Sequence, residues 1–240
     1  MEGRKKKVKS ILISQPKPEN GKSPYFNLAK KHKVKIDFIP FIHVEEITTQ
    51  EFKKQKISIL NHDAVIFTSK NAMDHYFMMC EKLRIKVPES MKYFCVSEAI
   101  AYYLQNFITF RKRKVFIGEQ MFSQLVPILK KHKECKFLLP CSDLIKERIV
   151  ETLESNGINF TKATMYKVVC SDLSHLEDVY YDILVFFSPT GITSLYENFP
   201  EFKQNDTRIA AFGPTTAKSV NDHKLVLDID APNEKAPSMS

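Results

Sequence analysis

A seven-residue pattern that occurs twice limits the folds open to this chain. Residues 63–69 read Asp-Ala-Val-Ile-Phe-Thr-Ser, and residues 182–188 read Asp-Ile-Leu-Val-Phe-Phe-Ser, 119 positions later. A second pair of segments, 94–101 and 210–217, recurs at a similar offset of 116 positions. Two agreeing offsets favour duplication of a strand–turn–helix unit over chance similarity. The sequence therefore predicts two related lobes.

Short apolar runs alternate with amphipathic segments along most of the chain. The runs are apolar at almost every position, which is typical of strands in a parallel sheet covered on both faces. The segments between them carry apolar residues at helical spacing. We predict an α/β fold of two related lobes, each a parallel sheet flanked by helices, joined by a two-stranded linker. The predicted strands are 11–14, 36–39, 64–68, 93–96, 114–117, 137–140, 183–187, 208–212 and 225–229.

The two lobes are not consecutive halves of the chain. Two extended stretches interrupt the alternation, and each is bordered by a complete α/β block. We predict that these stretches run antiparallel as linkers and that the second lobe is inserted into the first, which is feasible where the ends of an insert lie close together. The predicted division is lobe one at 1–39 plus 170–240 with both termini, lobe two at 46–162, and linkers at 40–45 and 163–169.

Composition excludes several classes of protein. Of the 240 residues, 43% are hydrophobic, which is enough for a folded core and argues against disorder. No run approaches the ~20 apolar residues of a membrane-spanning helix. The lysines at 5–7 are not followed by the apolar stretch of a signal peptide. We therefore expect a cytoplasmic protein that does not bind a membrane.

The residues that commonly hold metals or act as nucleophiles form no recognisable motif. The 5 cysteines include no C-x-x-C pair, and the 7 histidines include no H-x-x-x-H pair. Nucleophile elbows and glycine-rich phosphate loops are also missing, in a chain with only 6 glycines. We expect reduced cysteines in the core, no metal and no cofactor. Chemistry without a strong catalytic group relies on folding and orienting a reactive substrate.

The charge balance is basic, with a formal net charge of +8. Lysine clusters such as 30–33 and 130–133 coincide with the predicted ends of helices, where cations complement the helix dipole. A surplus of this size also attracts polyanions, either nucleic acid or a ligand with several carboxylates. Nucleic-acid binding rests on charge alone, because no recognition motif accompanies it. We expect no nucleic-acid partner.

Four corners between a predicted strand and the following helix carry small or hydroxyl residues. In open parallel sheets ligands bind at the carboxyl ends of the strands, where the amides of helix N-termini face solvent. For any single corner, ordinary helix capping is the better explanation. Four similar corners favour a site for an anionic ligand. The candidate binding residues are Ser69, Asn71, Ser97, Ser188, Gly191, Gly213, Thr215 and Thr216.

Several of these corners, in their order along the chain, carry a resemblance to a known family. The segments are Phe-Thr-Ser at 67–69, Leu-Leu-Pro at 138–140, Met-Tyr-Lys-Val at 165–168, Phe-Ser-Pro-Thr-Gly at 187–191, Phe-Gly-Pro-Thr-Thr-Ala at 212–217 and Ala-Pro at 231–232. Together they resemble the uroporphyrinogen-III synthase family over residues 11–232. That family has two α/β lobes joined by a two-stranded linker.

The resemblance implies a function. The family closes hydroxymethylbilane, a linear tetrapyrrole, to uroporphyrinogen III with inversion of the last ring, in the cleft between the lobes and without metal or cofactor. Tyr166 matches the linker tyrosine, which would protonate or orient the departing hydroxyl. Thr215 and Thr216 match a pair of hydroxyls in the cleft, and Arg208 matches a basic position. The implied partner is a small-molecule tetrapyrrole polycarboxylate, bound by a monomer.

The chain departs from the family pattern at three corner positions. Gln15 replaces an arginine after the first strand, and Ser97 and Ile100 replace a glycine and a threonine. These departures leave an alternative open, a non-catalytic two-lobed protein that binds an anionic metabolite or tetrapyrrole. The isomer formed from hydroxymethylbilane separates the two, because spontaneous closure gives the uninverted isomer.

Overall fold

The computed structural model describes residues 7–18, 23–119, 121–234 and 237–239. Lys5 and Lys6, which entered the argument about a signal peptide, lie outside them. The described residues divide into two compact units. Unit 1 comprises the chain up to His43 and from Val169 onwards, and unit 2 is the continuous segment Val44–Val168. The bounds predicted for the lobes and linkers stay a prediction.

Unit 1 is built on a five-stranded parallel sheet. The strand order is β11-β10-β9-β1-β2, and every neighbouring pair is parallel. Its elements are β1 (Ser10–Ile13), α1 (Pro24–His32), β2 (Lys35–Phe38), β9 (Ile183–Phe186), α7 (Pro189–Asn198), β10 (Arg208–Phe212), α8 (Pro214–Asp222) and β11 (Leu227–Ala231).

Unit 2 is built on a six-stranded sheet in the order β3-β8-β7-β4-β5-β6, and its strands from β8 to β6 are parallel. The boundary between the units falls within β3 and again within β8. The elements are β3 (Ile42–Glu46), α2 (Thr49–Lys54), β4 (Ala64–Phe67), α3 (Lys70–Lys82), β5 (Lys92–Cys95), α4 (Glu98–Tyr103), β6 (Val115–Ile117), α5 (Phe122–Lys130), β7 (Phe137–Ser142), α6 (Glu147–Ser155) and β8 (Phe160–Cys170).

Burial on both faces of each sheet explains the uniformly apolar strands. Every residue of β4 and of β9 is buried. Because side chains alternate across a strand, Val65 and Phe67 join the core on one face of the unit 2 sheet, while Ala64 and Ile66 join the core on the other. The four residues of β9 divide in the same way between the two cores of unit 1. The predicted α/β fold class is confirmed.

The aspartate that begins each repeat has the same structural role in both units. Asp182 precedes β9, and its Oδ2 accepts main-chain N–H groups from Lys9 and Ser10 at 2.8 and 2.9 Å. Asp63 precedes β4, and its Oδ2 accepts the main-chain N–H of Lys136 at 2.8 Å. Each carboxylate therefore holds the start of a neighbouring strand by hydrogen bonds, Asp182 that of β1 and Asp63 that of β7.

The largest differences from the predicted elements lie near the unit boundary. The stretches predicted to form a two-stranded linker, 40–45 and 163–169, overlap β3 and the 11-residue β8, which are neighbouring strands in the unit 2 sheet. Helix α2 was not predicted because it has only six residues, and a capping box between Thr48 and Glu51 fixes its start. Helix α6 ends at Ser155, and Gly157 follows it at φ 66°, the left-handed conformation typical of the residue after a helix end.

Two further observations concern the helices and the cysteines. Among the described residues, none of the helices has the length and apolar character needed to cross a membrane. All five cysteines are free thiols, and all but Cys170 are buried. Burial raises the pKa of Cys95 to about 12, which keeps that thiol protonated and unreactive.

Candidate active site

In unit 2 the predicted corner serines lie at the carboxyl ends of adjacent parallel strands. Ser69 follows β4 and Ser97 follows β5, and each caps the next helix by accepting a main-chain N–H three residues on. These bonds are 3.1 Å to Ala72 and 3.5 Å to Ile100. The sheet order β8-β7-β4-β5 brings the ends of β7 and β8 to the same edge.

Tyr166 on β8 reaches this edge and lies next to one of the serines. Its hydroxyl is 3.5 Å from Ser69 Oγ, and the residue is only 8% exposed. Burial raises the pKa of the phenol, while hydrogen bonds from Ser69 and Ser142 partly oppose that rise. The phenol is therefore neutral at physiological pH and able to donate a hydrogen bond. Ser69 and Tyr166 are brought together as a pair.

Local hydrogen bonds fix the main chain on both sides of Tyr166. The carbonyl of Tyr166 accepts the N–H of Asp143 at 3.1 Å, and Asp143 Oδ1 accepts the N–H of Val168 at 3.0 Å. Between them, Lys167 forms an ion pair of 2.7 Å with Glu51. That contact, with the capping bonds from Thr48, lowers the pKa of Glu51 to about 2. The tyrosine is thus held on a rigid stretch of strand, as a positioned donor requires.

In unit 1 the corner after β9 is tightly built. Ser188 Oγ accepts the N–H of Gly191 at 3.2 Å and caps α7. A Cβ at position 191 would lie 3.3 Å from the Phe186 ring and 3.7 Å from Ser14 Oγ. A side chain at position 191 would therefore need the Phe186 ring to shift by a few tenths of an ångström. Both candidates lie at the carboxyl edge of the sheet.

The corner after β10 uses a glycine in an unusual conformation. Gly213 has φ 90° and ψ 151°, a region open essentially to glycine alone. Its N–H donates to the carbonyl of Ala231 at 2.6 Å, while a Cβ there would meet no atom within 4 Å. The requirement for glycine is therefore conformational, not steric. Thr215 is exposed beside it in the first turn of α8.

Two candidate residues lie apart from the exposed surface of the corner after β10. Thr216 is only 1% exposed, because it lies on the face of α8 that packs into unit 1, so its hydroxyl is not offered to a ligand. Arg208 is the first residue of β10, about 16 Å of strand away from Gly213 at ~3.3 Å per residue. The structure therefore does not bring Arg208 to the corner.

Among the described residues, one cluster combines possible metal ligands, at the amino-terminal edge of the unit 2 sheet. His132, Glu134 and Cys135 precede β7 and offer ligand atoms within 4.8 Å of one another. The Lys92 ammonium lies 3.4 Å from Cys135 Sγ and 3.6 Å from Glu134 Oε1. A fixed cation thus already supplies positive charge to the thiol and the carboxylate. We interpret the cluster as an ion-paired group and not as a metal centre.

Comparison with known proteins places this geometry in a family. A family model described as uroporphyrinogen-III synthase HemD matches residues 24–240. The chain belongs to the uroporphyrinogen-III synthase family. Its fold is similar to that of the uroporphyrinogen-III synthetase from Helicobacter pylori 26695, with a TM-score of 0.63 and 19% identity over 97% of this chain and 95% of that one.

A second solved structure with the same fold is a mutant uroporphyrinogen III synthase from the extremely thermophilic bacterium Thermus thermophilus. It has a TM-score of 0.58 and 14% identity over 95% of this chain and 94% of that one. No curated protein matches the chain. At these identities the structural likeness concerns the fold, and the family assignment rests on the family model.

Three residues near Tyr166 were missed by the sequence analysis of this uroporphyrinogen-III synthase family member. Ser142 and Asp143 lie at the end of β7, and the rule that identified the other corners would have found them if this strand end had been included. His75 has no such signal. Its ring packs on the Tyr166 ring with centroids 4.7 Å apart, a contact between α3 and β8 that only the fold creates.

Proposed function

We propose that this chain is a uroporphyrinogen-III synthase that closes hydroxymethylbilane with loss of water and inversion of the last pyrrole ring. The observation that carries the proposal is the Tyr166 phenol beside Ser69, at the carboxyl edge of a parallel sheet, in a chain of this family. A neutral phenol at that place can donate a hydrogen bond to the departing hydroxyl and orient it. The reaction requires no metal and no cofactor.

The carboxylates of the substrate are bound chiefly by the amides at helix starts. Helices α3, α7 and α8 begin at the carboxyl edges of their sheets, where the dipole and the free N–H groups favour anions. The formal charge of +8 adds a general attraction for a polycarboxylate. The cleft between the lobes remains part of this proposal, as do a monomeric state and a cytoplasmic location.

The test is the isomer of uroporphyrinogen formed from hydroxymethylbilane with and without the protein. We expect type III with the protein and the uninverted type I isomer without it. Tyr166→Phe should lower the rate of type III formation about tenfold or more, the value of one good hydrogen bond. Tyr180→Phe is the matched control, because Tyr180 is 57% exposed and precedes β9 at the other edge of its sheet. Equal loss in both variants would argue against a role for Tyr166.

The second candidate is a binding protein that holds a tetrapyrrole without converting it. The exposed Gln15 favours it, because the cation that the family has at this position is missing. The buried Thr216 also favours it, since one hydroxyl of the expected pair is withdrawn. Tight binding of uroporphyrinogen with no type III above the protein-free blank would establish this alternative.

A further inference from the structure

His75 is placed against Tyr166 and has one ring nitrogen fixed and the other available. It lies in the second turn of α3, half-buried, and its ring stacks on Tyr166 at 4.7 Å with 30° between the ring planes. Nδ1 lies 2.7 Å from the main-chain oxygen of Asn71. A carbonyl only accepts, so Nδ1 carries a proton and donates it. Among the described residues Nε2 has no hydrogen-bond partner.

We propose that His75 is the catalytic acid of this enzyme and that its Nε2–H gives the proton to the departing hydroxyl, while Tyr166 and Ser69 orient that hydroxyl. The inference rests on the proposed function and names a residue that the family resemblance does not. It follows from three contacts within unit 2: the stacked rings, the Nδ1 bond to Asn71, and the hydroxyl pair of Tyr166 and Ser69.

The proton balance of the reaction suits an imidazole. The C–O bond of the hydroxymethyl group breaks with both electrons on oxygen, the oxygen takes the proton from Nε2, and water leaves. The pyrrole left behind carries the positive charge until its methylene carbon bonds to the last ring. Closing the macrocycle releases one proton from the substrate, and the neutral Nε2 accepts it. The imidazolium is regenerated, and the net change is loss of one water.

An imidazolium is the better acid of the two stacked groups. Histidine is the side chain whose ordinary pKa lies nearest to neutral pH, where a general acid works best. The ordinary pKa of a phenol is ~10, and burial raises the pKa of Tyr166 above that value. The buried phenol is therefore suited to holding a hydroxyl in place and poorly suited to giving up its proton.

The charged neighbours of His75 are engaged elsewhere. On α3 itself, Asp74 accepts the Tyr103 hydroxyl at 2.7 Å, and the Lys70 ammonium lies over the Tyr103 ring at 4.9 Å. At the end of β7, the electrostatic effects of Cys141 and Asp143 add to the raised pKa of Tyr166. Asp143 is bound to main-chain N–H groups at Leu144 and Val168. Each of these charged groups thus has a partner other than His75.

Two substitutions at position 75 test the proposal. His75→Phe keeps an aromatic ring against Tyr166 but carries no proton, and His75→Gln keeps a donor for the Asn71 carbonyl. Both should lower the rate of type III formation by about 10²–10⁴-fold, the usual value of general acid catalysis. His175→Gln is the matched control at an exposed histidine of unit 1. Circular dichroism melts should match wild type, since His75 is only half-buried.

The pH profile distinguishes an acid from a structural role. In the wild type the rate should fall as pH rises, because a general acid must carry its proton to act. Both His75 variants should lose this dependence, and Tyr166→Phe should keep it at a lower rate. Rates within about threefold of wild type and an unchanged profile in the His75 variants would overturn the proposal. Loss of the profile in Tyr166→Phe alone would assign the proton to the phenol instead. If the wild type forms no type III isomer at all, the proposed function itself fails.

Discussion

At the scale of single residues, the two unit 1 corners, after β9 and after β10, cap their helices in different ways. Ser188 caps α7 with its side chain, in an extended conformation that any residue can adopt. Gly213 caps α8 without a side chain. Its φ of 90° and ψ of 151° are strained for any residue other than glycine. Substitutions at the two positions should therefore differ in kind.

The two corners allow a comparison by urea unfolding. Ser188→Ala should lower the free energy of unfolding by about 1 kcal/mol, the usual value of a lost cap. Gly213→Ala should lower the free energy of unfolding by about 1–3 kcal/mol. The backbone must either hold a strained conformation or lose the hydrogen bond from this N–H to the Ala231 carbonyl. Gly157→Ala, also at positive φ with open space around it, is the control for glycine replacement in general. A smaller loss at Gly213 than at Ser188 would contradict this account.

Individual residues also mark the limit of what the sequence predicts. The capping roles of Ser69 and Ser188 are local and were readable from the strand–Ser–helix pattern. Burial of Thr216 depends on which face of α8 meets the sheet, and the pattern Gly-Pro-Thr-Thr does not specify this. Thr216→Asp would accordingly test folding and not ligand affinity, because the carboxylate would be buried. The contact of His75 with Tyr166 joins residues 91 positions apart.

At the scale of elements, strand order depends on carboxylates at strand starts. Asp182 fixes β1 beside β9 through two main-chain N–H groups and the Ser10 hydroxyl. Burial alone would raise the pKa of Asp182, but the hydrogen bonds from Lys9 and Ser10 outweigh it and hold the pKa below its usual value. Because the folded pKa is lowered, this stabilisation is complete above the unfolded pKa of ~3.9 and is lost as pH falls through the folded value.

Replacing Asp182 should expose this dependence. Asp182→Asn should lower the free energy of unfolding at pH 7 by about 1.5–3 kcal/mol, the range for hydrogen bonds to a charged group. The difference between wild type and variant should shrink as pH drops from about 5 towards 3. Thermal melts of both proteins across that pH range measure it. A difference that stays constant from pH 7 to pH 3 would show that the charge of Asp182 contributes nothing.

Elements were predictable where their own residues decide them. Composition identifies the wholly buried strands β4 and β9, and lysines and Gly157 mark the ends of α1 and α6. At the unit boundary the sequence indicated extended segments but not their place in a sheet, since β8 has a mixed burial pattern along its 11 residues. Its strand character comes from pairing with β7 over most of its length, including a register shift beside Tyr166.

At the scale of the whole molecule, each unit has its own cores on both faces of its sheet. The four clusters of buried apolar residues each draw their members from a single unit. Unit 2 is also continuous in sequence, from Val44 to Val168. A segment with a complete core and a continuous chain meets the usual requirements of an independent domain.

We expect the isolated segment 44–168 to fold alone. Its circular dichroism spectrum should show helix and strand, and urea should unfold it in one cooperative transition. Leu138 has no exposed surface, so Leu138→Ala should lower the free energy of unfolding of the segment by about 2–5 kcal/mol. A gradual, non-cooperative loss of signal in the unsubstituted segment would show that unit 2 depends on the rest of the chain.

The position of β1 has a consequence for the order of events on the ribosome. In the sheet of unit 1, β1 lies between β2 and β9, and β9 is synthesised about 170 residues after β1. At ~5–20 residues per second, the nascent chain carries β1 without its second partner for roughly 10–35 s. All of unit 2 emerges during that interval. Strand β1, which is made before all of unit 2, is thus one of the last strands to gain both of its neighbours, and one edge of β1 stays open until then.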